Sequence, residues 1–133
     1  MSNAPRPVFR NIGITQLISY RLPWAGKVSI LHRISGALLF LALPFILYLF
    51  DKSLASEVSF AQFARFVSNP LAKLVLLILI WSFLHHFFAG IRYLLLDLEV
   101  GVEKASSSRS AILVLLLGFG SSAIIGLKMF GLF

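Results

Sequence analysis

The sequence predicts an all-α integral membrane protein with three transmembrane helices that run up, down and up. Of its 133 residues, 59% are hydrophobic and only 13% are charged. A soluble domain of this size buries too small a share of its surface to hide so much apolar area. Apolar stretches long enough to cross a bilayer occur three times, so residues 1–133 are predicted to form one membrane domain.

The three predicted spans differ in length and content. The first covers about residues 28–50 and contains Pro44, which predicts a kink rather than a break because neighbouring helices can satisfy the freed carbonyl. The second covers about 71–97, roughly 40 Å, so one end projects beyond a hydrocarbon core about 30 Å thick. The third covers about 109–128 and carries glycines and serines that suit close helix packing; ordinary membrane-helix composition explains them better than a dedicated dimer motif.

Shorter elements are predicted outside the spans. Residues 1–26 form a basic arm, in which the segment 12–20 is either a short interfacial helix or part of a polar, proline-containing linker. Aromatic and aliphatic residues at helical spacing predict a surface helix over 58–67. Asn69 and Pro70 then predict a turn followed by a helix that begins at the proline.

The charge distribution predicts an orientation in the membrane and no binding to nucleic acid. The net charge is +7, but the basic residues are scattered between apolar stretches and form no patch. Because cytoplasmic loops carry an excess of Lys and Arg, the N-terminus is predicted to be cytoplasmic and the C-terminus external. The cytoplasmic set is Arg6, Arg10, Arg21, Lys27, Arg33, Arg92, Lys104 and Arg109, and the external set is Lys52, Arg65, Lys73 and Lys128.

Several kinds of chemistry are excluded by the residues that are missing. The chain has no cysteine, which excludes disulfides, thiolate-bound iron–sulfur clusters and covalently attached haem. No general acid/base pair, nucleophile triad or phosphate-binding loop is evident, so no catalytic residue is predicted. Any haem must therefore be held by histidine and by packing.

Two adjacent histidines near the end of the second span are the strongest candidates for function. Ionisable groups within membrane helices are costly and usually functional. His86, Gly90, Tyr93 and Asp97 share one helix face, and the glycine leaves bare backbone one turn from the imidazole, which suggests a haem ligand. On these residues alone, a packing histidine bonded to a neighbouring helix is an equally good interpretation of His86. His85 points about 100° away around the helix, so the two rings cannot bind opposite sides of one iron. His85 is assigned to packing or to a solvent- or headgroup-facing position.

A second polar set lies at the start of the first span. Ser29 and Arg33 are four residues apart and share a helix face, with His32 beside them. Because the first two spans are antiparallel, this set and the set around His86 are predicted at the same leaflet. The sequence therefore predicts a polar pocket at the cytoplasmic side of the membrane, although Arg33 taken alone is more typical of an interfacial anchor.

These two motifs together resemble one known family. The segment Ser29-Ile30-Leu31-His32-Arg33-Ile34-Ser35-Gly36, with the later His86-x-x-x-Gly90-Ile91-Arg92 and Asp97, is similar to the cytochrome b556 membrane-anchor subunits of succinate dehydrogenase. The resemblance covers nearly the whole chain. It departs at Tyr93, where many relatives have a second histidine.

The resemblance implies roles for particular residues. His86 aligns with an axial ligand of haem b, and a second small anchor subunit, packed against the three helices, supplies the other histidine. Ser29, Ile30 and Arg33 align with ubiquinone-binding residues, and His32 and Arg33 with positions near the haem propionates. The family further implies flavoprotein and iron–sulfur subunits on the cytoplasmic side of the bacterial inner membrane.

Other functions are also compatible with the residues. In the same redox class, the chain could anchor a quinol-oxidising fumarate reductase. In a different class, it could be a small transporter or channel subunit that uses His85, His86 and Arg92 as a proton path, or a membrane scaffold without redox function.

Overall fold

The computed structural model describes Gly13 and residues 20–132. In chain order, the helices of this part are α1 (Trp24–Ala55), α2 (Glu57–Ser68), α3 (Pro70–Asp97) and α4 (Lys104–Met129). Three of them, α1, α3 and α4, are long and apolar enough to cross a membrane, which confirms the predicted all-α class with three spans. The predicted segment 12–20 lies outside the described residues except for Gly13 and Tyr20.

The connection between the first two spans forms as predicted. Helix α2 begins with a capping box, in which Ser56 Oγ accepts from Ser59 N at 3.1 Å and Ser59 Oγ accepts from Ser56 N at 3.0 Å. Helix α3 begins at Pro70, and Asn69 Oδ1 accepts from Leu71 N at 2.9 Å. Such caps satisfy donors that have no partner in the first turn of a helix. The surface helix and the proline-started helix are both confirmed.

Helix α1 continues through Pro44 from Trp24 to Ala55. Its 32 residues correspond to about 48 Å, so the helix exceeds the thickness of the hydrocarbon core by several turns. The predicted spans 28–50, 71–97 and 109–128 each lie within one longer helix. Apolarity marks the part of a helix that can lie in lipid and does not by itself mark where the helix ends.

The small residues of α4 pack inside the chain. The buried residues of this helix recur at helical spacing and are Ala111, Val114, Gly118, Ser122 and Gly126. A Cβ added to Gly118 would lie 3.4 Å from the Cα of His85, and one added to Gly126 would lie 3.1 Å from Leu77 Cδ2. Both neighbours belong to α3, so the small face serves close packing of α3 on α4.

Two cationic side chains join α3 to α4 at opposite ends of the bundle. Near the start of α3, Lys73 Nζ donates to the carbonyl of Met129 at 2.9 Å, in the last turn of α4. Near the end of α3, Arg92 is only 5% exposed and donates to Ser107 and Ser110. The pairing of these two helices is therefore held by small-residue packing in the middle and by hydrogen bonds at both ends.

Much apolar surface remains uncovered by the chain itself. Phe40 and Phe45 of α1, for example, are 75% and 73% exposed. A soluble monomer rarely exposes such contiguous apolar area. The outer surfaces of the three long helices are therefore suited to lipid or to other membrane subunits.

Candidate functional site

The two polar sets predicted at one leaflet meet through a pair of stacked histidines. The rings of His32 on α1 and His86 on α3 lie 4.1 Å apart with an interplanar angle of 9°. His86 Nδ1 also lies 3.2 Å from the carbonyl oxygen of His32. The antiparallel arrangement of α1 and α3 thus brings together residues separated by more than fifty positions in the chain.

Ser35 and Gly36 shape the position of His86 from the facing helix. Ser35 is fully buried, and its Oγ donates to the His32 carbonyl at 2.9 Å and lies 3.5 Å from His86 Nδ1. A Cβ added to Gly36 would lie 2.9 Å from His86 Cε1. Neither residue received a role from the sequence, although both belong to the motif that begins at Ser29. The sequence signal that could have revealed this contact is Gly36, a small residue one turn after His32 that leaves room for a ring from another helix.

Gly90 has a different neighbour from the one that its spacing suggested. A Cβ added to Gly90 would lie 3.9 Å from Nε2 of His32, so this chain's own imidazole lies over the bare backbone. Tyr93 is half-buried and its ring lies 5.1 Å from that of His32. The surface near Gly90 is therefore shared with His32, and the glycine that admits His86 is Gly36.

His85 lies on another side of α3 from His86. It is fully buried, and its ring stacks on that of Trp81 with 5.4 Å between the ring centroids. A Cβ added to Gly118 of α4 would lie 3.4 Å from the Cα and Cβ of His85. Neither ring nitrogen has a hydrogen-bond partner among the described residues. Of the positions predicted for His85, packing is confirmed and a solvent- or headgroup-facing position is wrong, because α4 covers this side of α3.

The predicted quinone residues lie on the part of α1 next to the histidine pair. Ser29 is half-buried, whereas Ile30 is 42% exposed and Arg33 is exposed. Within the described part of the chain, no hydrogen bond joins Ser29 to Arg33. Ser29 and Arg33 both reach the surface of the part of the chain that the structure describes.

The residues of the suggested proton path do not form a connected chain. His85 faces α4, His86 contacts α1, and Arg92 donates to Ser107 and Ser110 at 2.8–3.1 Å. Within residues 20–132, no hydrogen bond links one of these three side chains to another. This arrangement gives the proton-path interpretation no support.

The surroundings of His86 fit an axial ligand of haem iron. Histidines that bind metals usually engage their second ring nitrogen with a carbonyl or another polar group, which orients the ring. His86 Nδ1 has such partners in the His32 carbonyl and Ser35, whereas Nε2 forms no hydrogen bond in the described part of the chain and is not enclosed. Through Nε2, His86 can offer one ligand to a cofactor, and the described residues contain no cluster of three or more metal-binding side chains.

The fold and the histidine pair define a small polytopic membrane protein with a polar contact within one end of its helix bundle. The chain belongs to the succinate dehydrogenase/fumarate reductase transmembrane subunit family, whose model matches residues 3–125.

Two relatives agree with this assignment. A Coxiella burnetii protein named succinate dehydrogenase cytochrome b556 subunit is 35% identical over 125 residues, which cover 93% of this chain and 96% of that protein. A Paracoccus denitrificans protein of the same name is 30% identical over 92 residues, or 69% and 71% of the two chains. The family expected from the motifs is thus confirmed, and these homologues are subunits of an enzyme complex.

Proposed function

We propose that this chain is the haem b-binding membrane-anchor subunit of a succinate dehydrogenase and forms part of the site where ubiquinone is reduced. The observation that carries the proposal is the orientation of His86, whose Nδ1 contacts the His32 carbonyl and Ser35 while Nε2 is left for iron. The name cytochrome b556 carried by both relatives supports haem b as the cofactor. When bound, haem b supplies a one-electron carrier within the membrane.

A second histidine to hold the haem would come from a partner subunit. His32 stacks face to face on His86, so the two rings cannot lie on opposite sides of one iron. His85 is fully buried and in contact with α4. Since these are the only three histidines of the chain, a second small anchor subunit completes the coordination. His32 and Arg33 are proposed to hold the propionates.

Ser29, Ile30 and Arg33 are proposed to bind ubiquinone. The hydroxyl of Ser29 donates to a carbonyl oxygen of the quinone, and Ile30 contacts the ring. The Arg33 guanidinium stabilises negative charge that develops on the quinone oxygen during reduction, because a fixed cation needs no reorganisation at that moment. Arg33 is exposed and Ser29 is half-buried beside the histidine pair, which supports this assignment.

The remaining partners follow from the proposed complex. A flavoprotein subunit oxidises succinate, and an iron–sulfur subunit passes the electrons to the membrane boundary. Both lie on the cytoplasmic side of the bacterial inner membrane, next to the end of the bundle that carries His86. The N-terminus is then cytoplasmic and the C-terminus external, in agreement with the distribution of Lys and Arg.

A fumarate reductase anchor is the second candidate, because the matched family includes the transmembrane subunits of both enzymes. The two functions differ in the direction of electron flow and in the quinone. Turnover of the purified complex with ubiquinone and with menaquinone separates them. Faster succinate oxidation with ubiquinone supports the first candidate, and faster fumarate reduction with menaquinol supports the second.

The haem assignment is tested by spectroscopy of the purified complex. We expect the double variant His86→Ala/His32→Phe to lose the haem b α-band from the reduced-minus-oxidised spectrum. Both rings are removed because the stacked His32 lies close enough to replace a lost ligand, and His32→Phe alone should keep the band because His86 is still present. The control His85→Gln alters a histidine of the same helix and should keep the band. An unchanged band in the double variant would overturn the proposal.

A further inference from the structure

We propose that a groove between α1, α2 and α3, at the end of the bundle remote from His86, binds an anionic phospholipid of the bilayer. One acyl chain occupies the groove, and the phosphate lies beside Arg65. This site is separate from the proposed haem and quinone residues and does not depend on their assignment.

The walls of the groove suit an acyl chain. The groove has a volume of about 910 Å³. Its long sides come from α1 and α3 and are wholly apolar, as expected for a site that takes a hydrocarbon chain. These side residues are Leu38, Leu41, Ala42, Phe45, Ile46 and Leu49 of α1, and Leu71, Ala72, Val75, Leu76 and Leu79 of α3.

The polar groups of the groove are confined to one end. Gln62 and Arg65 of α2 and the adjoining Asn69 line it there, at spacings of three and four residues that place them on one side. Arg65 has no ion-pair or hydrogen-bond partner among the described residues, and no acidic residue lines the groove. A guanidinium presents donors in a planar fork that matches phosphate oxygens. The charge at this end therefore complements an anionic headgroup.

The length of the groove favours a lipid over a helix of another subunit. From Leu38 to Leu49 the wall on α1 rises about 16 Å at 1.5 Å per residue. This is close to half of a hydrocarbon core about 30 Å thick, which is the depth of one leaflet. A partner helix that crosses the bilayer would continue past the groove, whereas an acyl chain of one leaflet ends within it. The groove instead has a polar end near α2 and an apolar depth of one acyl chain.

The experiment uses the whole complex in nanodiscs of phosphatidylcholine with a small amount of phosphatidylglycerol that carries a photoactivatable diazirine on its acyl chain. After illumination, mass spectrometry measures labelling of peptides from 38–49 and 71–79. We expect labelling to concentrate on groove residues and to fall about fivefold in Arg65→Gln, the effect of one basic group near an anionic headgroup. The control Lys128→Gln, an exposed cation at the same end of the bundle, should leave labelling unchanged.

A second variant tests the groove itself. Ala42→Trp fills the apolar space and keeps Arg65, and it should abolish labelling in the groove while succinate oxidation by the complex is retained. Labelling of Phe40, on the outer surface of α1, should persist. The proposal is overturned if groove residues are labelled no more than Phe40, or if a phosphatidylcholine probe labels them equally. Cross-linking of the groove to another subunit, or its occupation by ubiquinone, would also overturn it.

Discussion

The imidazole of His86 is oriented by groups from another helix, since the His32 carbonyl and Ser35 approach Nδ1 and Gly36 leaves room for the ring. Each of these three residues contributes something different: an acceptor, a buried hydroxyl and an absent side chain. The orientation of His86 thus depends on Ser35 and Gly36, two small residues to which the sequence analysis gave no role. The facing helix therefore determines the orientation of the His86 ring and which of its nitrogens is left unbonded.

Gly36→Ala should disturb His86 directly. The added Cβ would lie 2.9 Å from Cε1 of the imidazole, so the ring or the helix must shift. Overpacking of this kind costs about 1–3 kcal/mol. We expect a lower thermal unfolding midpoint of the complex and an altered haem α-band. Gly120→Ala is the matched control, because a Cβ there meets nothing within 4 Å. Equal effects of the two substitutions would contradict this explanation.

Ser29→Ala and Arg33→Leu should impair quinone reduction. Hydrogen bonds that involve a charged group contribute about 1.5–3 kcal/mol, so Arg33→Leu should lower ubiquinone reductase activity about tenfold or more. Succinate oxidation by a soluble artificial acceptor should be unaffected, because it bypasses the membrane site. Arg21→Leu removes an exposed cation that precedes α1 and serves as the control. Unchanged ubiquinone reduction in both variants would exclude the proposed site.

Among the elements, α3 is the central one because it packs against α1 on one side and α4 on another. Each of its two histidines packs against one of these helices: His86 stacks on His32 of α1, and His85 lies against Gly118 of α4. Lys73 and Arg92 then join its two ends to α4. The rotation of α3 about its axis therefore determines which histidine can reach a cofactor.

Arg92→Met should loosen the pairing of α3 with α4. Arg92 donates to the carbonyl and hydroxyl of Ser107 and to Ser110, and it is almost fully buried. Methionine cannot replace these hydrogen bonds from a charged group, which contribute about 1.5–3 kcal/mol. We expect a lower unfolding midpoint for the purified complex. Arg109→Met, which removes an exposed arginine near Ser107, should have little effect. The role of Arg92 would be excluded if both variants unfolded at the wild-type temperature.

For the whole molecule, the three long helices and the distribution of basic residues are the dominant features. The helices present large apolar surfaces outward, as the exposure of Phe40 and Phe45 illustrates. The short helix α2 and the link before α4 lie at opposite ends of the bundle because α3 connects them. The fold thereby separates an end with the histidine pair from an end with the Arg65 groove.

The orientation of the chain in the membrane is testable because the sequence has no cysteine. Ala61→Cys on α2 should react with an impermeant maleimide added to intact cells. Ala105→Cys, at the start of α4, should react only after the membrane is opened, because the more basic side of a membrane protein is cytoplasmic. Both positions are exposed, so a difference in labelling between the two variants reports the side of the membrane rather than burial in the protein. The reverse pattern of labelling would contradict a cytoplasmic N-terminus.

The main elements could be predicted because their signals are local. Apolar stretches, the helical spacing in 58–67 and the Asn69-Pro70 pair each lie within a few turns of chain, and the structure forms helices at those places. The family could be predicted because its two motifs are each a short run of residues within one helix. The partners of individual side chains could not be predicted in this way. Gly90 was expected to face a large flat group, whereas His32 lies over it.

Three apolar helices, their connections, the candidate His86 and the family could all be predicted from the residues. The contacts of Ser35 and Gly36 with His86, the burial of His85 against α4 and the reach of Arg92 to Ser107 are visible only in the folded chain. The physical reason is that these helices are apolar on nearly every side, so periodicity alone does not indicate which face turns inward. That choice depends on contacts between segments far apart in the chain, such as the fit of Gly118 against His85 and of Gly36 against His86.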